Sequence, residues 1–167
     1  MAPSFIQDDP IEPLRLRAED VEDLGVISAC LQDAVTRQSD MSYRPREHRF
    51  AIVLNRYRWE REAVTEDENN KAHGDHQRIR TGVHFDGCLG VKTKGLDGIA
   101  GDEILLLLPI ECELLADGTA EVDLVFTGGA TIKMFLECID CQLRDLSEPW
   151  EAQGRPDHPL DAAGGDT

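Results

Sequence analysis

From Glu103 to Leu136 apolar and polar side chains alternate. Ile104, Leu106, Leu108, Ile110, Cys112 and Leu114 share one parity, with Glu111 and Glu113 on the other; Val122, Leu124 and Phe126 follow, then Ile132, Met134 and Leu136. An extended chain turns successive side chains to opposite faces, so this period of two predicts three strands and two turns, an antiparallel meander with one buried face. A slip of one residue would turn every side chain the wrong way. Pairing Val122 with Leu136, Leu124 with Met134 and Phe126 with Ile132 requires the three-residue loop Gly128-Gly129-Ala130, and the same test on Leu114 against Val122 selects Asp117-Gly118-Thr119.

A period near 3.6 occurs once with clarity. From Asp20, a candidate N-cap, Val21, Leu24, Ile27, Leu31, Ala34 and Val35 recur at helical spacing, with Gly25 as a weak point. Leu14 and Leu16, alternating with arginines, predict a short edge strand before that helix. Met41 and Tyr43, the turn Arg44-Pro45-Arg46-Glu47, and then Phe50, Ile52 and Leu54 read as strand, turn and strand, the second running to Trp59. Ile79, Val83, Phe85, Leu89 and Val91 fall on one parity of a further strand, where glycines at 82, 87 and 90 suggest bulges or close backbone approach. Beyond Cys138 the apolar parity changes to Ile139, Cys141 and Leu143, which fits either a strand after a bulge or one face of a helix ending before Pro149.

These elements predict an α+β domain, with a curled, mostly antiparallel sheet of about seven strands packed on one main N-terminal helix. The strand count also admits a split barrel of the pleckstrin-homology kind. Residues 1–13 and 151–167 read as flexible tails, 14–150 as one domain, and about 62–77 as a mobile polar loop. At 167 residues the chain is long enough for one real core.

Charge narrows the partners. Thirty-three acidic against seventeen basic residues give a net charge of −16, which opposes nucleic acid and anionic membranes and leaves protein or peptide partners. No apolar run is long enough to cross a bilayer, and Met1 to Pro10 lacks the basic start of a secretory leader. Five cysteines, an odd number, then suit a reducing cytoplasm.

Few motifs carry chemistry. Cys138-Ile139-Asp140-Cys141 has the spacing of a zinc or disulfide-exchange pair, but residues three apart on a strand point to opposite faces, so buried hydrophobic thiols are the simpler reading. His73-Gly74-Asp75-His76 lies in a polar loop that offers no preorganised metal site. No Ser-His-Asp order, phosphate-cradling glycine loop or HExxH motif occurs, so no cofactor or metal is expected. The remaining constellation comes from matching Leu54 with Val83 and Ile52 with Phe85. The opposite face of those strands then gathers Asn55, Tyr57 and Trp59 beside Arg78 and Arg80, with His84 and Asp86 further along. Arginines over aromatic rings can hold an anion or a peptide carboxylate, or merely cover the rings. The favoured expectation is a noncatalytic binding or adaptor module using Asn55, Tyr57, Trp59, Arg78 and Arg80 toward an acidic peptide or partner protein. The alternative is an enzyme on a small anionic metabolite, with Arg80 binding the anion and His84 and Asp86 as an acid/base pair.

Six segments, LRLRAED at 14–20, ISACLQDA at 27–34, RFAIVLNRYRWE at 49–60, VHFDG at 83–87, ECI at 137–139 and DLSEPW at 145–150, resemble in order those of a bacterial family known as domain of unknown function 2948. The resemblance covers most of Leu14 to Trp150. It implies a bacterial, cytoplasmic, single-domain protein and brings no activity, cofactor or catalytic residue.

Overall fold

The computed structural model describes residues 13–58, 77–147 and the backbone of 150–151. Both expected tails, apart from Pro13 and Glu151, lie outside the described residues, as do residues 59–76 with Trp59 and the His73-Gly74-Asp75-His76 segment. Gln77, expected in the loop, begins a strand.

After β1 (Arg15–Ala18) comes the helix α1 (Val21–Cys30). Asp20 caps it as expected, its Oδ1 accepting the Asp23 N–H at 2.7 Å. Leu24 and Ile27 are buried on the core while Val21 stays exposed. The helix stops earlier than its apolar spacing suggests. Asp33 takes a left-handed conformation (φ 63°) that reverses the chain, and Val35, with β-branched Thr36, opens β2 (Val35–Arg37). A single 3₁₀ turn, Gln38–Asp40, leads into β3 (Met41–Arg44), and a second, Pro45–Glu47, into β4 (Arg49–Tyr57).

The other strands are β5 (Gln77–Asp86), β6 (Cys88–Lys94), β7 (Ile104–Leu106), β8 (Glu111–Leu114), β9 (Ala120–Val125), β10 (Thr131–Leu136), β11 (Cys141–Asp145) and β12 (Trp150–Glu151). They form more than one sheet. An eight-stranded sheet has the order β1-β11-β5-β4-β2-β7, with β12 beside β5 and β3 beside β4; a four-stranded sheet has the order β6-β10-β9-β8. Every pairing is antiparallel, and the larger sheet ends at β1 and β7 and so is not closed. Phe50, Ile52, Leu54, Val83 and Phe85 from one sheet and Val122, Leu124, Ile132, Met134 and Leu136 from the other share one core with Leu24 and Ile27 of α1.

The expected long strand from Ile79 to Val91 is two strands. Gly87 adopts φ 74°, a conformation glycine enters without a Cβ clash, and carries the chain from the larger to the smaller sheet. Burial therefore passes from Phe85 to Cys88, and Leu89, expected inside, is 52% exposed. The chain returns through residues 137–140 into β11, which settles that segment as a strand. The two crossings are stitched together: Glu137 N–H donates to the Gly87 carbonyl at 2.8 Å and Asp86 N–H to the Asp140 carbonyl at 2.9 Å.

The parity expected for residues 104–114 is also corrected. Leu105 and Leu107 are buried, whereas Ile104, Leu108 and Leu114 are exposed, because β7 belongs to the larger sheet and Pro109 separates it from β8. Four consecutive leucines carry no parity of their own. In β9 and β10 the expected faces hold, but Val122 pairs with Met134 and Leu124 with Ile132, two residues from the expected register. Both hairpin loops have three residues as expected, each starting one position earlier: Phe126 N–H donates to the Ala130 carbonyl and Leu115 N–H to the Thr119 carbonyl.

At the end of β4's inward row, Arg56 is fully buried. Its Nε and Nη2 donate to Asp145 Oδ1 and Oδ2 at 3.0 and 2.9 Å, a bidentate pair, and Nη1 donates to the Tyr57 carbonyl at 3.0 Å. Asp145 also accepts from the Thr81 hydroxyl at 2.8 Å and the Leu14 N–H at 2.9 Å. Burial alone would raise the Asp145 pKa; the Arg56 guanidinium, together with the Leu14 and Thr81 donors, outweighs it and holds the carboxyl below its ordinary value.

Candidate functional site

The outward face of the larger sheet carries most of the polar groups worth testing. Its β4–β5 register pairs Asn55 with Arg80 and Tyr57 with Arg78, two residues from the expected match, while Ile52 and Phe85 share the buried side as expected. Arg78 lies over the Tyr57 ring, Cζ 3.9 Å from its centroid, and donates from Nη1 to the Asn55 carbonyl at 2.9 Å. Tyr57 is thereby 5% exposed. The guanidinium is committed to covering it, so these two residues form a buttress rather than an open aromatic surface.

Asn55 and Arg80 face an open cleft. β2 pairs with β4 only at Val35 opposite Asn55, and β3 takes over the pairing at Met41 opposite Ile52. Between them the Gln38–Asp40 turn lifts the chain, and the Thr36 hydroxyl bonds the Val53 carbonyl at 2.7 Å. The gap is a solvent-open cleft with a cavity volume of about 50 Å³, lined by Arg37, Asp40, Asn55, Arg80 and Ile104, among others. Arg80 is half-exposed, with its Nη2 4.0 Å from Asp40 Oδ1, a loose pair that leaves guanidinium donors open. Asn55 Oδ1 is shielded from water and has no hydrogen-bond donor among the described residues. Arg37 and Asp40 were not singled out from sequence. The β-branched pair Val35-Thr36 was the available signal, absorbed there into an overlong helix.

His84 and Asp86 lie elsewhere on the same face. Asp86 Oδ1 accepts from Arg49 Nε at 2.8 Å, and His84 Nδ1 stands 3.4 Å from Asp86 Oδ2, close as an ion pair but without hydrogen-bond geometry. Four residues of strand separate His84 from Arg80, about 13 Å. The structure brings Asn55 to Arg80 and Tyr57 to Arg78; it does not bring Arg80 to His84 and Asp86.

The outward face is rich in arginine. Arg17, Arg44 and Arg49 are tied to carboxylates: Arg17 to Glu19 and Asp140 at 3.2 and 3.3 Å, Arg44 to Glu47 at 3.6 Å, Arg49 to Asp86. Arg15, Arg37 and Arg144 have no ion pair among the described residues. On the smaller sheet Glu121 and Asp123 flank Lys133 instead.

Cys138 is exposed and Cys141 fully buried, so the two thiols do not share a site. Burial first, then the nearby Asp140 and Asp86 charges, push the Cys141 thiol far up; burial also raises Cys88. A maleimide at neutral pH is expected to label Cys138 in the native protein and Cys88 and Cys141 only after unfolding, as peptide mass mapping would read. Labelling of Cys141 at the rate of Cys138 would contradict the assigned burial. No three His, Cys, Asp or Glu side chains gather as a metal site among the described residues, and no helix there is long and apolar enough to cross a membrane.

A family model described as "Protein of unknown function (DUF2948)" matches residues 14–158. No curated protein and no solved structure matches the chain. With most of its length so matched, the chain belongs to the DUF2948 family.

Proposed function

We propose that the protein is a noncatalytic cytoplasmic binding module that holds an acidic segment of a partner protein at the cleft between β2, β4 and β5. The observation that carries this reading is the Arg80 guanidinium in the cleft, held only loosely by Asp40 at 4.0 Å, with Arg37 lining the same cleft. A side-chain carboxylate of a peptide is the complement of those guanidinium groups. Arg78 and Tyr57 support the cleft by fixing the Asn55 backbone. Five cysteines, an odd number, favour a reducing compartment. The acid/base reading of His84 and Asp86 draws no comparable support, since the anion-binding arginine stands apart from them.

Immobilised wild type is expected to retain a partner from lysate that Arg80→Ala retains about tenfold less, the scale of one charge-assisted contact. Arg78→Ala/Arg80→Ala should lose it as well. Identical protein lists for all three baits would remove the cleft from consideration.

A further inference from the structure

β1 and β11 place Arg15 directly opposite Arg144, both exposed and both without an ion pair among the described residues. Like charges directly opposite one another on a sheet are unfavourable. Their neighbour Arg17, two positions along the same face, has two carboxylates beside it, whereas this pair has none among the described residues. Between the pair and the cleft lies Leu146, 52% exposed, whose N–H donates to the Arg80 carbonyl. Its side chain leans over Gly82, with Cδ1 3.2 Å from where a Cβ there would stand, and Gly82 is the residue opposite Arg144. The face therefore reads as a strip of cationic pair, aliphatic side chain and Arg80 cleft.

We infer that this strip is a second half of the docking surface, and that its occupant is an extended acidic protein segment carrying two carboxylates with an aliphatic residue between them. The inference rests on the proposed peptide-binding cleft and extends it to β1 and β11. Strand geometry sets the spacing. Arg15 and Arg80 are two strands apart and offset by two residues, about 12 Å, while an extended peptide advances about 3.3 Å per residue. Positions one and five of a peptide span about 13 Å and share a side with position three. A Glu-x-Leu-x-Glu pattern thus sets its carboxylates over Arg80 and the Arg15–Arg144 pair and its leucine on Leu146. Charge complementarity alone would also suit nucleic acid. Two observations favour the peptide: Tyr57 lies under Arg78 and offers bases no stacking platform beside the cleft, and a net charge of −16 repels a long polyanion more than a short segment.

The test is fluorescence anisotropy on the full chain at low salt with a labelled Gly-Glu-Ser-Leu-Ser-Glu-Gly peptide. Wild type is expected to bind it, with affinity falling about tenfold in Arg15→Gln/Arg144→Gln and by a similar factor in Arg80→Ala. The same Arg15→Gln/Arg144→Gln variant, unliganded, should melt about 2 °C higher, because a repulsion has been removed. Unchanged binding in that variant, or a lower melting temperature, overturns the inference while the Arg80-dependent lysate capture still decides the cleft. Failure of wild type to bind the peptide, or tighter binding of a 15-nucleotide single strand or of phosphatidylserine vesicles, overturns the assigned occupant.

Discussion

Asp145→Ala is expected to cost about 3–5 kcal/mol of folding free energy, because it removes the buried carboxylate that forms a bidentate pair with the Arg56 guanidinium. Urea denaturation would measure it, and a loss below about 1 kcal/mol would mean that water reaches Arg56. Replacing the pair together, Arg56→Met with Asp145→Leu, should recover most of the loss, since similar volumes return and two desolvated charges go. The Thr81 hydroxyl and Leu14 N–H would still lose their acceptor, so recovery is incomplete. The pH dependence follows from the lowered Asp145 pKa. Its stabilisation is full above the ordinary carboxyl value of 3.8 and is lost as pH falls below that value through the folded-state pKa. Wild type should therefore weaken below about pH 4 by more than the double variant does.

Phe126→Ala is expected to cost about 3–5 kcal/mol, the range for emptying a fully buried aromatic site. The position matters beyond its volume. Its backbone bridges Leu107, joining the two sheets, next to a three-residue loop whose glycines at 128 and 129 have positive φ. Thermal unfolding should show the loss as one cooperative transition. Two separated transitions would show that the sheets melt independently, contrary to their common core.

Sidedness was legible in this sequence, and register was not. Period-two alternation in β4, β5, β9 and β10 assigned Phe50, Phe85, Val122 and Met134 to the inside correctly. The same alternation is unchanged by a slip of two residues, and the β4–β5, β8–β9 and β9–β10 pairings all differ from expectation by that step. Where alternation was absent, in Leu105 to Leu108, sidedness failed too. Gly87 was recognisable as a special position, but its role in moving the chain between sheets depends on what Glu137 and Asp140 do fifty residues later. Of the proposed contact residues, Asn55 and Arg80 were found by shared parity. Arg37 and Asp40 were missed because the 3₁₀ turn that brings them in has no periodic signature. Arg56 looked like one more polar residue of its strand; its bidentate bond to Asp145, 89 positions away, lets a charge sit inside.

The order in which the chain visits its sheets has a kinetic meaning. It builds β1 to β5 of one, leaves for β6, returns for β7, leaves again for β8 to β10, and comes back for β11 and β12. No single cleavage point separates the sheets: a cut at Gly87 keeps the smaller sheet whole on the C-terminal fragment but carries β7, β11 and β12 of the larger sheet away with it. Dissection at Gly87 should leave the larger sheet divided between the two fragments, and refolding must close the long loops from β2 to β7 and from β5 to β11 before that sheet is complete. High contact order of this kind places folding in the millisecond-to-second range, slower than helical proteins of equal length.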